Sequence, residues 1–489
     1  MNKFFILFTL FLSLSLVFAF AGDGKLIDRE RPIVEEIGMA KSPGQFDPIA
    51  YQKSMRDKFD WLKGEAADLS SRSIVTINIS KDELRGIDDY ECETCGKLGA
   101  KNTKLRVGVT RTLKIPVNLT SHGEMIKTVD GGFVWTMVFQ SKGATALRIH
   151  LIDFSLPGDA QLYVYNEDGE AFGPFIDRGP NMTGDFWTNA TSGPIAYLQL
   201  HAGPGVQPDT ISFNVTEVGH IGPKFLIPFL RNPNRNYEEL SVAMTHCSYN
   251  EDCVEDGACY DSGDFPGYDD VKYGIAHILF YSAPYWYMCS GGLLNNTAQD
   301  YTPYFLTANH CISTRSEASS LETYFQYFNP YCHANCVSRG TADTVGARLL
   351  RHGTRADYSF LRLNQSPPAG SVFLGWSTTP VAYSNGTDLF RLSHPSGAPQ
   401  GYSEHDVDTS APTCSGWPRG SWIYSRDTTG ATEGGSSGSP VCISTGQVVG
   451  QLSGACGYNP SDPCDSINNA TVDGAFATYY RRIRRWLNP

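Results

Sequence analysis

The chain has 489 residues, 41% hydrophobic and 12% aromatic, enough to build cores in about two or three domains and too many for one. A net charge of -12 and a pI near 5.4 argue against a nucleic-acid partner and leave solubility as the plain reason for the acidity.

Residues 1–21 read as a signal peptide: Lys3, then an apolar run, then Ala19-Phe20-Ala21 ahead of Gly22. The run is long for that role, but no basic stop-transfer flank follows it, and no later segment is long and apolar enough to span a bilayer. The expectation is a secreted, extracellular protein with no membrane attachment once the signal is removed. Export makes the thirteen cysteines readable mostly as disulfides, and the odd count leaves at least one over. Sequons at Asn78, Asn118, Asn181, Asn189, Asn214 and Asn385 fit a glycoprotein.

Residues 22–105 form a charged segment with one helix in "DPIAYQKSMRDKFDWLKGEA", where Tyr51, Met55, Phe59 and Leu62 recur at helical spacing. "CETC" at Cys92 and Cys95 could begin a zinc site, but a structural zinc needs four ligands and no second such pair lies nearby. A local disulfide or redox-neutral pair fits better, and no metal or other cofactor is expected. Over residues 106–218 short strands follow one another, among them "FVWTMVFQS", "ALRIHLIDFSL" and "IAYLQLHA", punctuated by Gly, Pro and Asp. They predict an antiparallel β-sandwich. Residues 219–241, rich in Pro and Asn, read as a linker and a zone for maturation cleavage. Residues 242–489 form a second all-β region holding eleven of the cysteines. It closes on a helix whose Tyr479, Ile483, Trp486 and Leu487 share one face, with the arginines elsewhere as a solvated face.

Amide hydrolysis needs a nucleophile, a base of near-neutral pKa, a group that orients the base, and donors for the oxyanion. The C-terminal region offers one candidate for each. His310 ends the apolar run of "YFLTANHC", and Asp357 opens the strand of "RADYSFLRL". Ser437 lies in "TEGGSSGSPVC", where Gly435 and Gly438 let the backbone turn and aim the amides of Gly435 and Ser437 at one spot. A flexible linker of the same composition would not need the histidine and aspartate strands upstream.

The order His310, Asp357, Ser437 and the cores "TANHC", "DYSFL" and "GSSGSP" resemble the chymotrypsin clan of trypsin-like serine proteases. With "FLTANHC", "TEGGSSGSP", Gly375-Trp376 and "SHPSG" around His394, residues 242–489 look like the lysyl endopeptidase branch, and "GATALRIHLIDFSLPGDAQLYVYNEDG" looks like that branch's propart. The resemblance implies an all-β chain: a β-sandwich pro-domain, then a chymotrypsin-like double β-barrel with a C-terminal helix and the site between the barrels. It implies His310 as general base, Asp357 as its orienter and Ser437 as the acylated nucleophile. It also implies disulfides between Cys289 and Cys311 and between Cys414 and Cys442. Pairs Cys253 with Cys332, Cys247 with Cys456 or Cys464, and Cys259 with Cys336 are weaker expectations. His394 reads as structural, because Pro395 and Gly397 make its surroundings a turn.

Two departures from the clan stand out. Enzymes that cut after basic residues commonly carry an Asp six residues before the nucleophile, where this chain has Ala431. The branch takes its pocket acid from a later loop, at a position that is Thr471 here, so Asp473 and Asp465 are the candidates, with Trp417 or Trp422 as the aromatic wall and Ser453 where the branch has a histidine. The acid commonly used in zymogen activation is also missing, since Ser436 precedes the nucleophile. The expected function is a monomeric, secreted serine endopeptidase made as a precursor, acting on proteins or peptides, cutting after lysine, and inhibited or chaperoned by its own propeptide. A catalytically silent homologue acting as an extracellular binding module is the alternative. An esterase is less apt, because its usual Ser, Asp, His order is absent.

Overall fold

The computed structural model describes residues 34–66, 69–70, 73–80, 82–83, 98–101, 104–222, 250–332, 334 and 342–489. The signal-peptide segment, Cys92, Cys95, Cys247, Cys336 and most of the expected linker lie outside them.

Helix α1 (Pro48–Gly64) starts where Asp47 Oδ1 accepts the amides of Ile49 and Ala50 and where Pro48 presets the first turn. Its Met55, Phe59 and Leu62 are buried against a β-sandwich. The strands that follow are β1 (Gly99–Lys101), β2 (Leu105–Val117), β3 (Phe133–Ser141), β4 (Ala146–Ser155), β5 (Ala160–Tyr165), β6 (Ile195–Ala202) and β7 (Ser212–Ile221). One sandwich sheet runs β5-β6-β3 and the other β4-β7-β2, each of these pairings antiparallel, and the short strand Ile74–Ile77 adds to β3 in parallel. Trp135, Phe139, Leu151, Phe154 and Leu200 fill the space between them. β7 runs to Ile221, three residues into the expected linker, because Gly219, His220 and Ile221 keep their pairing with β2 and β4 on both sides.

Strands β8 (Ile275–Ser282), β9 (Tyr285–Leu294), β10 (Tyr304–Ala308), β11 (Glu322–Phe325), β12 (Ala347–Gly353) and β13 (Tyr358–Leu363) build the first barrel in the order β11-β8-β9-β10-β13-β12. Residues 342–345 pair with β11 and lead through Gly346 into β12, which closes it. A second barrel comprises β14 (Asp388–Ser393), β15 (Gly401–Val407), β16 (Trp422–Gly430), β17 (Pro440–Ile443), β18 (Val448–Gly457) and β19 (Asn469–Ala475). Pairings β14-β15-β16-β19-β18-β17-β14 return on themselves and leave no open edge in the ring. Helix α2 (Phe476–Leu487) buries Phe476, Tyr479, Ile483 and Leu487 and leaves Arg481, Arg482, Arg484 and Arg485 exposed.

The sandwich is not a separate lobe. β2 pairs with β7 on one side and with β9 on the other, so one sheet passes from the sandwich into the first barrel. Val107, Trp187, Ile221, Trp286, Met288 and Tyr324 form a shared core at the junction. Arg148, wholly buried there, lies 3.6 Å from the equally buried Glu322 and donates to Ser320 O at 2.7 Å. Glu35–Pro489 accordingly form one compact unit. Among the described residues no helix is long and apolar enough to cross a membrane.

Candidate active site

β10 delivers His310 just past its end, and β13 begins immediately after Asp357. The pairing Ala308 with Tyr358 brings the two together. Asp357 holds the histidine twice: Oδ1 accepts the backbone N-H of His310 at 2.8 Å, and Oδ2 lies 2.6 Å from Nδ1. A carboxylate there keeps the proton on Nδ1 and leaves Nε2 as the basic nitrogen. Both side chains are largely shielded, at 13% and 7% exposure. Ala356 and Asp357 both have positive φ, 62° and 47°, a conformation that costs about 1–3 kcal/mol per residue unless neighbours enforce it. The buried Gln451 enforces it. Its Nε2 donates to Ala356 O at 2.7 Å and Asp357 O at 3.1 Å, while Tyr479 of α2 donates to its Oε1 at 2.5 Å.

Ser437 sits on the turn between β16 and β17. Ser437 O accepts Ser290 N-H of β9 at 2.8 Å, Gly438 N-H donates to Leu452 O of β18 at 2.8 Å, and Ser290 Oγ donates to Gly435 O at 2.9 Å. Glycine is required at two positions of the turn. Gly435 has φ 103°, and a Cβ there would stand 2.7 Å from His394 O. Gly438 has φ 82°, and a Cβ there would collide with Thr307 Oγ1 and Ala308 N. The N-H groups of Gly435 and Ser437 donate to no acceptor among the described residues, so the turn has two amides available for an anionic oxygen. No hydrogen bond links Ser437 Oγ to His310 among the described residues; such contacts commonly tighten only when substrate binds.

Four disulfides are described. Cys289 joins Cys311 and staples β9 to the turn that carries His310. The other pairings differ from expectation. Cys414 joins Cys456 and not Cys442; Cys253 joins Cys464 and not Cys332; Cys332 instead joins Cys259. Cys456 and Cys464 are thereby taken, and neither pairs with Cys247. Cys442 is a free, buried thiol, because it points from β17 into the core with Phe390 and Leu392. Burial pushes its pKa up to about 12. Cys289, His310 and Cys311 cluster within 4.8 Å, but their sulfurs are joined and offer no thiolate to a metal.

The expected pocket residues are scattered. Asp473, fully buried, forms an ion pair with the fully buried Arg391 at 2.7 Å. Asp465 lies on a loop, accepting from Asn468 and Asn459. Trp417 and Trp422 stack, with ring centroids 6.2 Å apart. Ser453 is buried, as is Ala431. Thr471 donates to Asp427 Oδ1 at 2.8 Å, and burial, acting against Arg391, raises Asp427 to about 6. Nothing in the sequence around Asp427 marked it, since it lies in an ordinary strand. His394 is buried, its Nδ1 2.9 Å from Ala398 O and its ring stacked on Tyr327; burial lowers its pKa to about 4. Ser436 Oγ accepts from Ser393 Oγ at 3.0 Å. Of the sequons, Asn78 and Asn385 are exposed, whereas Asn189 is buried with its amide nitrogen 3.5 Å from Glu322 Oε1, which leaves no room for a glycan.

The two β-barrels, with the sandwich ahead of them, define a trypsin-like fold. Residues 92–222 match the lysyl endopeptidase N-terminal domain and residues 248–467 the lysyl endopeptidase C-terminal domain. The chain belongs to the lysyl endopeptidase family of trypsin-like serine proteases. It is 27% identical to the lysyl endopeptidase of Pseudomonas aeruginosa over 408 residues, 79% of this chain and 82% of that one. It is 25% identical to the secreted RxLR effector protein 73 of Plasmopara viticola over 345 residues, 66% of this chain and 77% of that one. Among solved structures, the active form of the Rv3671c protease of M. tuberculosis aligns with 48% of this chain and 91% of its own, at 15% identity and a TM-score of 0.32. So slight a likeness carries nothing further.

Proposed function

We propose that this protein is a secreted serine endopeptidase, made as a precursor, that cuts peptide bonds after lysine. The observation that carries the reading is the double hold of Asp357 on His310 beside a glycine-formed turn whose two amides face no other acceptor. His310 Nε2 takes the proton of Ser437 Oγ as that oxygen attacks the carbonyl carbon. The carbonyl oxygen, now anionic, is held by the N-H groups of Gly435 and Ser437. Collapse breaks the C-N bond, His310 returns the proton to the leaving amine, and water hydrolyses the acyl-enzyme by the same steps.

Residues 22 to about 241 act as the propart and residues 242–489 as the enzyme. Lysine preference is the finer part of the proposal. Asp473 is held by Arg391, so the carboxylate that supports it is Asp427, bonded to Thr471 where the branch carries its acid. The test is digestion of a mixed peptide library with the processed enzyme and with Ser437→Ala, followed by sequencing of the cut sites. Cuts after lysine, lost in the variant, are expected; no cuts by either form would overturn the reading. A silent homologue is the second reading, favoured by the relative named as an effector.

A further inference from the structure

The turn carrying Ser437 hangs between two strands, β18 through Leu452 and β9 through Ser290. Each strand has an edge beside that turn, and the chain's own N-terminal region lies along both. β1 runs antiparallel to β18, with Lys101 opposite Ala455, Ala100 opposite Cys456 and Gly99 opposite Gly457. Four residues after Lys101, β2 begins on β9, with Leu105 opposite Met288 and Arg106 opposite Tyr287. Two consecutive residues of a trans peptide chain are ~3.8 Å apart, so the step from Lys101 to Lys104 spans at most ~11 Å. Lys101 on the β18 edge and Lys104 beside the β9 edge are therefore at most ~11 Å apart.

Side chains fix this course. Leu105 lies over the turn, where a methyl added to Gly434 would stand 3.6 Å from Leu105 Cδ1. Lys104 Nζ is 3.5 Å from Glu317 Oε1 and 4.5 Å from the centre of the Tyr287 ring. Arg106 lies over Tyr285 at 3.3 Å. Lys101 is partly buried with Glu433 as its countercharge, and Glu433 is itself held by Asn250 Nδ2 at 2.8 Å and Ser396 Oγ at 2.7 Å. Ser437 is left only 5% exposed.

We infer that the edge of β18 beyond its pairing with β17, at Ala455–Gly457, and the edge of β9 at Tyr285–Met288 form a docking surface for an extended basic peptide, and that Gly99–Lys101 with Leu105 and Arg106 fill it in place of substrate. Backbone pairing along a sheet edge recognises any strand of suitable length, while Glu433 and Glu317 select positive side chains. The propart thus inhibits by occupying both sides of the nucleophile. The core it shares with the first barrel, around Trp187 and Trp286, keeps it in place even after a cut in the connecting segment. This inference rests on the peptidase reading and specifies how that activity is withheld.

The test uses the full 489-residue chain and a fluorophosphonate, which forms a P-O bond to an activated serine with loss of fluoride. Labelling is followed on the intact band. Two variants loosen β1 without touching the barrels: Ala100→Pro and Lys101→Glu, the second placing like charges against Glu433. Intact wild type is expected to label at least tenfold more slowly than either variant, with all label lost in Ser437→Ala. Equal rates for wild type and both variants would overturn the inference and leave the peptidase reading standing. If neither wild type nor variants label, this segment is not what closes the site, and the inference falls. Labelling after digestion within residues 223–249 and removal of the N-terminal part then decides the peptidase reading separately.

Discussion

At the scale of single residues, Asp357 acts through His310, and Gln451 acts through Asp357. Asp357→Asn keeps the size of the side chain but accepts less well at Oδ2, so the imidazole loses its tautomer; kcat is expected to fall on the order of 10⁴-fold with the unfolding midpoint little changed. Gln451→Leu removes the side chain that donates to the strained carbonyls at 356 and 357 and leaves Tyr479 Oη without its acceptor. A fall in kcat with KM nearly unchanged would mark positioning; a matching fall in stability alone would mark mere packing. Asp473 gives the opposite pattern. Asp473→Ala leaves Arg391 buried and unpaired and should cost about 3–5 kcal/mol in urea unfolding, while preference for lysine at the cut site persists. Loss of that preference without loss of stability would restore Asp473 as the pocket acid. The three residues proposed for catalysis were legible because each sits in a local pattern: a histidine ending an apolar strand, an aspartate opening one, a serine among glycines. Asp427 and Gln451 have no such pattern. Their roles depend on which side chain faces them across sheets 44 and 94 residues away in sequence.

At the scale of elements, the helices and most sandwich strands follow from period and punctuation. α1 and α2 bury the faces that the spacing of Met55, Phe59 and Leu62 and of Tyr479, Ile483 and Leu487 predicts. The disulfides do not follow, because a pairing is a statement about distance in space and thirteen cysteines allow many. Cys442 shows the difference: it sits close in sequence to the Ser437 turn, yet its side chain enters the core, and Cys414 meets Cys456 on β18 instead. Its thiol should resist iodoacetamide in the native protein and react only in denaturant, read by mass spectrometry of the Cys442 peptide. Fast alkylation of the native chain would contradict the burial. β1 was equally hidden, since "GAK" has no alternation and no turn signal, and its partner β18 lies more than 300 residues away.

At the scale of the whole molecule, the sandwich and barrels share one sheet and one junction core, so removing the propart is a larger step than cutting a linker. Stability should also depend on acid. Burial lowers His201, His220 and His394 to about 4, and holds His277 and His405 well below 6.5, so these rings stay neutral in the folded chain. Below the ordinary value near 6.5 the unfolded chain takes up protons that the folded chain does not, so stability falls as pH drops from about 6.5 towards 4. Each ring contributes up to about 1.4 kcal/mol per pH unit across that window. Melting curves at pH 7 and pH 4.5 should differ strongly, and equal curves would show that the histidines are not sequestered.

The central claim is that Ser437 carries an acyl group during turnover. Rapid mixing of the processed enzyme with a chromogenic lysyl ester should release one equivalent of the alcohol in a burst, and mass spectrometry of the acid-quenched sample should find the acyl group on the peptide bearing Ser437. Ser437→Ala should show neither. Turnover without a burst and without the adduct, under conditions where deacylation is slow, would contradict the account.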